Sequence, residues 1–229
     1  MRLKNKLAIA MLLTIVLLSL GLAIGAPAGA IVNKLSADSM PVRPLGTISA
    51  LGGKHTPLNL SGETQTLVWQ GIFGDISGNV TLSDAANHTL YSWQALNLSN
   101  AKIFASRSST VSWQSITAQN NCSVDQDLTG LFSDRVNATF TPSANAEILV
   151  GDISISANST CAAWTYINSS AQTDKFQELI LTDGVSTIYA TAIEQNATGF
   201  DSSKHDFQML LPETQNSSTS TYYFYVEYS

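Results

Sequence analysis

From Gln65 to its end the chain alternates apolar and polar residues over short stretches, separated by clusters of Asp, Asn, Gly and Ser. In Ile76-Ser77-Gly78-Asn79-Val80-Thr81-Leu82-Ser83 the period is two, which predicts a strand with one apolar and one polar face. Thr66–Phe73 and Thr89–Leu96 have the same character, and Ala101–Ser108 makes a fourth strand. With turns at Gly74-Asp75 and Ser83–His88, these strands are expected to form an antiparallel meander opened by a hairpin at Gly74-Asp75.

Thr110–Phe140 lacks clean alternation, and two short helices capped by Ser123 and Ser133 are expected there. Ala146–Ser156 and Cys161–Ile167 read as strands. Gln177–Ile193 reads as a hairpin turning at Asp183-Gly184, and Asp206–Pro212 and Ser220–Tyr228 complete the set. Nine or ten strands in residues 65–229 predict one all-β domain. An antiparallel β-sandwich, immunoglobulin-like or jelly-roll-like with short helical insertions at its rim, is expected over a closed barrel. Trp-Gln pairs at Trp69, Trp93 and Trp113 have unlike flanks and read as equivalent core positions rather than a repeat.

Residues 1–64 follow another pattern. Arg2, Lys4 and Lys6 precede an apolar run from Leu7 to Ile24, and the small residues after it contain two A-x-A patterns ending at Ala28 and Ala30. This is the layout of a signal peptide over residues 1–30, with a retained N-terminal anchor as the alternative. Residues 31–64, with three prolines and four glycines and no sustained period, read as a linker or irregular arm. Either way the positive flank places the rest outside the cell, secreted or on the cell surface, with membrane contact only through an uncleaved N-terminal segment.

Charge narrows the partners. The net charge is −6, and loss of the three leader cations moves it to −9, a balance that repels nucleic acid. Charged residues are only 12% of the chain. Ten of the fifteen asparagines, Asn59, Asn79, Asn87, Asn97, Asn121, Asn137, Asn158, Asn168, Asn196 and Asn216, stand in N-x-[ST] sequons. Composition alone accounts for about three, so N-glycosylation is expected. Cys122 and Cys161, an even count in an exported chain without a C-x-x-C partner, are expected to form one disulfide.

Motifs for catalysis are lacking. Gly74–Gly78 reads GDISG, with the serine one place too late for a nucleophile elbow. Asp75, Ser77 and Asn79 alternate like calcium ligands but lie within a strand, and Asp125 with Asp127 is a second weak calcium candidate. His55, His88 and His205 read as solvated loop residues, so no catalytic residue, metal or cofactor is expected.

Aromatic residues carry more. In the last strand Tyr222, Phe224, Val226 and Tyr228 share one face, which leaves Tyr223 and Tyr225 as an outward ridge. If Cys161 points inward with Ala163, then Trp164 and Tyr166 face out; such aromatics stack on sugars or bury against a neighbour.

The segments Val68–Trp93, Asp206–Glu213 and Ser220–Ser229 resemble recurrent stretches of uncharacterised secreted surface proteins of archaea. That resemblance implies a cell-surface setting and carries no activity or site. The expected function is an N-glycosylated structural or interaction protein of the cell envelope, a filament, surface-layer-associated or adhesive component. Its partners would be envelope proteins or glycans, with self-association by strand addition. A pilin that keeps its apolar N-terminal run is a structural variant; a carbohydrate-binding module is the alternative, and a secreted hydrolase comes third.

Overall fold

The computed structural model describes residues 26–41, 46–93, 98–142, 145–215 and 219–228. The apolar run Leu7–Ile24 and the sequons Asn97 and Asn216 lie outside them. Among the described residues no helix is long and apolar enough to cross a membrane.

In chain order the strands are β1 Ala28–Gly29, β2 Trp69–Gly74, β3 Val80–Ser83, β4 Thr89–Trp93, β5 Lys102–Ser106, β6 Thr117–Ala118, β7 Thr141–Pro142 and β8 Ile148–Val150. They continue as β9 Ile153–Ile155, β10 Cys161–Trp164, β11 Gln177–Thr182, β12 Thr187–Ala192, β13 Ala197–Thr198, β14 Lys204–His205, β15 Phe207–Pro212 and β16 Tyr223–Glu227. Two single-turn helices, α1 Gln126–Thr129 and α2 Val136–Thr139, fall in the region expected to be helical.

The fold is an antiparallel β-sandwich around one large sheet, ordered β1-β16-β5-β12-β11-β10-β7 with β6 beside β11. Alternation along the central strands sends residues to two cores. Ile103, Ala105, Cys161, Ala163, Ile180 and Tyr189 face one side, where the β2–β15 pair brings Met209 and Leu211 and the helices bring Val136 and Phe140. Phe104, Leu181, Ile188 and Ala190 face the other, against Ile116, Val150 and Ile155. Burying an aliphatic or aromatic side chain of this kind is worth about 1.5–3 kcal/mol each, so covering both faces explains why β11 and β12 are apolar on both sides.

Cys122 and Cys161 form the expected disulfide, with Cα atoms 5.6 Å apart. Both belong to the first core and bind the helical insertion to the start of β10.

Of the predicted meander only the β3–β4 pairing forms. β2 pairs over six residues with β15, from Phe207 opposite Gly74 to Pro212 opposite Trp69, and not with β3. β5 lies between β12 and β16. The predicted apolar face of the second strand is covered only in part: Ile76 packs against the first core, whereas Val80 and Leu82 are exposed. Gly78 is nevertheless required for packing: a Cβ there would collide with the Tyr228 ring, whose hydroxyl donates to Ser77 O at 3.1 Å.

The single strand expected over 146–156 is a hairpin, β8–β9, whose two-residue turn has Gly151 at φ 56°. Cys161–Ile167 keeps strand form only to Trp164, and the β11–β12 hairpin closes through four residues rather than two. Ser123 and Ser133 are not the caps. Asp125 and Arg135 occupy those positions without side-chain cap bonds, and Ser123 Oγ instead accepts from Asn137 Nδ2 at 3.1 Å.

Candidate functional site

β7 pairs with β10 only at Cys161 and Ala162, so Ala163 and Trp164 lie beyond its reach. A cavity of about 510 Å³ opens there, between the end of β10 and the β2–β15 pair. That volume lies within the ~300–1,000 Å³ range of small-molecule and anchor-residue pockets. Ile72, Ala163, Met209 and Leu210 form its floor, and Phe73, Trp164, Tyr166 and Phe200 line it with aromatic rings.

Each wall has a local cause. Phe73 alternates outward from β2, and Phe200 follows Gly199 in the turn between β13 and β14. Their rings meet edge to face at 4.8 Å, and His205 packs 4.8 Å from Phe73 and stacks on Phe200 at 6.1 Å. Gly199 permits this approach: a Cβ there would collide with the imidazole and lie 2.7 Å from Gln208 Oε1. Thr165 N–H donates to the carbonyl of Phe176, a buried aromatic held at φ 53°. Left-handed backbone at a bulky residue costs about 1–3 kcal/mol and persists only where packing imposes it.

His205 is therefore not a solvated loop residue. It is buried, and its Nε2 lies 2.9 Å from Asp201 Oδ1. Burial opposes ionisation of Asp201, but the Ser203 N–H and His205 outweigh it and hold that carboxyl below its ordinary value. The pair braces the aromatic wall from behind.

The amide and threonine side chains in the lining are already engaged. Gln208 Nε2 donates to Thr165 Oγ1 at 2.7 Å and to Tyr166 O at 3.1 Å, while its Oε1 accepts from Phe200 N–H at 2.7 Å. Thr139 Oγ1 donates to Arg135 O at 3.2 Å. Among the described residues no Asp, Glu, His, Cys, Lys or Arg lines the cavity. It offers ring faces and apolar burial, with nothing in its lining tuned for proton transfer.

Of the four aromatics expected to face outward, the structure brings Trp164 and Tyr166 to this pocket. Tyr223 is exposed elsewhere on β16. Tyr225 is not part of an outward ridge: it packs on Trp113 at 5.1 Å, and its hydroxyl donates to Ser108 O at 3.0 Å. The second core covers the face that the alternation had assigned to solvent. Phe73 and Phe200 were missed, although an aromatic beside a glycine in the polar run Thr198–Asp206 was a readable signal. The Trp-Gln residues occupy unlike settings, Trp69 against Phe140, Trp93 exposed and Trp113 against Phe104.

Asp125 and Asp127 do not form a calcium site. Arg107 pairs with both, and the Tyr189 hydroxyl donates to Asp125 Oδ2 at 2.8 Å. Among the described residues no group of three His, Cys, Asp or Glu side chains is placed to hold a metal.

Glu178 lies under the pocket on β11. Its Oε2 accepts from the N–H of Leu210 at 2.7 Å, and its buried Oε1 has no hydrogen-bond partner among the described residues. Burial pushes this carboxyl well above the usual 4.5, more than the Leu210 N–H lowers it. The folded state thus holds the proton more tightly than the unfolded chain. Its contribution to stability is full below the unfolded carboxyl's value and is lost as pH rises through the folded value. Glu178→Gln keeps an acceptor for Leu210 and cannot ionise. It is expected to be more stable than the parent by about 1–3 kcal/mol at neutral pH and to match it at about pH 4 and below. Urea unfolding across a pH series checks this; a gap that does not change with pH contradicts it.

No family model, no curated protein and no solved structure matches the chain.

Proposed function

We propose that this chain is an N-glycosylated extracellular β-sandwich that acts as an interaction component of a cell envelope and contacts its partner through the aromatic pocket. The observation that carries this reading is the combination of an apolar, ring-lined cavity with lining amide and threonine groups that already bond within the protein. Such a site selects an apolar or aromatic side chain of a partner rather than a strongly hydrated group. The leader-like N-terminus and the dense sequons support the extracellular setting.

Sequon placement is compatible with it. Asn59, Asn79, Asn87, Asn121, Asn158, Asn168 and Asn196 are exposed. Asn87, Asn158, Asn168 and Asn196 sit at turns with positive φ, a conformation that asparagine tolerates. Asn137 differs: it is half-buried, its Oδ1 accepts from Arg135 Nε at 2.6 Å and its Nδ2 donates to Ser123. Peptide mapping of native protein is expected to find glycan on the exposed sites and none on Asn137. A glycan on Asn137, or bare asparagines throughout, goes against this.

The pocket itself is tested with the fluorescent probe anilinonaphthalene sulfonate. Trp164→Ala is expected to weaken binding of the probe by about tenfold, in keeping with the loss of one buried aromatic contact of about 1.4 kcal/mol. Trp93→Ala, at an exposed site outside the pocket, should leave it unchanged. Equal binding by both variants removes the pocket from the proposal.

One observation favours carbohydrate binding as a second reading. Trp164 and Tyr166 stand together in the lining, where ring faces can stack on a sugar. A glycan array on which the parent protein binds nothing eliminates that reading and leaves the first.

A further inference from the structure

The edge of the large sheet beside β16 is covered by β1, which consists of only Ala28 and Gly29. Ala28 lies opposite Val226, Gly29 opposite Tyr225, and Ala30 N–H donates to Phe224 O at 2.9 Å. These are the residues of the two A-x-A patterns, and cleavage after Ala28 or Ala30 would begin the mature chain at Gly29 or Ile31. The first cut removes Ala28, half of β1, and the second removes the strand whole.

β1 is also a poor cover. A Cβ on Gly29 would meet nothing within 4 Å, and Tyr225 and Val226 opposite are only half-buried. A strand with larger side chains would bury more of both. Such residues follow at once: Ile31, Val32 and Leu35 are 93%, 60% and 96% exposed, in an arm whose described residues from 31 to 64 are all exposed and form no strand. Ile31, Val32 and Leu35 thus lie open to solvent, and 34 residues extended reach about 110 Å, ample to meet a neighbouring molecule.

We propose that β1 is a placeholder strand. Leader cleavage strips it from β16, and the vacated edge then takes the Ile31–Leu35 segment of a second copy of this chain. The backbone groups of Phe224 and Val226 that β1 had paired bond the incoming strand, and its β-branched residues cover Tyr225 and Val226. The large sheet is then completed between molecules, and repetition links copies head to tail. This assembly rests on the extracellular reading above, because it needs a processed leader. It does not need the aromatic pocket.

The test uses the processed protein recovered from a secreting host. Its N-terminal sequence is read first, then its mass by light scattering across a concentration series. A mature N-terminus at Gly29 or Ile31 with a mass that at least about doubles on concentration is expected. Val32→Pro, in the exposed arm, should return it to monomer, and so should a synthetic peptide spanning residues 26–35 added in excess. An N-terminus upstream of Gly29 overturns the proposal, because β1 is then retained; recovery of the chain with its leader inside the cell overturns the extracellular reading as well. A correctly cut chain that stays monomeric overturns this proposal alone, including the case where hydrogen exchange shows Ile31–Leu35 protected on its own domain. Oligomers that persist in Val32→Pro and resist the peptide overturn it as well.

Discussion

Cys122→Ala, alone or with Cys161→Ala, is expected to lower the stability of the domain by about 4 kcal/mol. The bond closes a loop with a sequence separation of 39 residues, and the entropy of that closure in the unfolded chain sets the magnitude. The native-state consequence is local. The loop contains α1, α2, β7, β8 and β9, and both sulfurs lie in the core that Val136 and Phe140 complete. Without the bond, the helical insertion is tied to β10 by smaller links such as Cys161 N–H to Gln119 O at 2.9 Å. Thr139 of α2 lines the aromatic pocket, so probe binding should weaken under denaturant before the β11–β12 hairpin loses structure. Chemical denaturation of the alanine variant, followed by both signals, checks this. A loss under about 1 kcal/mol would mean that the reduced unfolded chain is already compact in this region.

How much of this architecture could be read along the chain depended on distance. The β11–β12 hairpin was legible because two short apolar runs and the turn between them lie within 17 residues. Parity from an inward Cys161 did not by itself place the pocket, since Ala163 and Thr165 line it along with Trp164 and Tyr166. The partner of β2 was not legible. β15 lies more than 130 residues away, and nothing local in Trp69–Gly74 distinguishes a neighbour across Gly74-Asp75 from a distant one. The Gly151-Asp152 turn was hidden inside a run that also reads as one continuous apolar strand. Tyr225 was misplaced because alternation identifies two faces without saying that both are covered, and Trp113, which covers it, sits in a stretch with no period. Phe73 and Phe200 meet only after β2 and the β13–β14 turn have been brought together.

Glu227→Ala is expected to cost about 3–5 kcal/mol, the range found when one partner of a buried ion pair is removed. Glu227 Oε1 accepts from Lys102 Nζ at 3.3 Å across the β5–β16 register, and the two side chains are only 4% and 9% exposed. Glu227 Oε2 also accepts from Gly151 N–H at 3.2 Å, which joins the end of β16 to the β8–β9 turn. Removing the carboxylate leaves an ammonium with Asn100 O at 2.9 Å and no counter-ion in that pair, together with an unpaired amide at Gly151. The double variant Lys102→Met/Glu227→Leu removes both charges and fills their volume. It is expected to recover most of the loss, to within about 1 kcal/mol of the parent, because desolvating the pair offsets much of its attraction. A double variant no more stable than Glu227→Ala would mean that the Gly151 contact, rather than the uncompensated charge, sets the cost. The pair matters most at this place in the fold, since β1 covers only Tyr225 and Val226. Once that strand is gone, β5 is the one sheet neighbour of β16, and Glu227 adds to the side-chain ties of Tyr225 and Tyr228 at its end, so the cost of Glu227→Ala should be larger in the processed monomer than in the chain that retains β1.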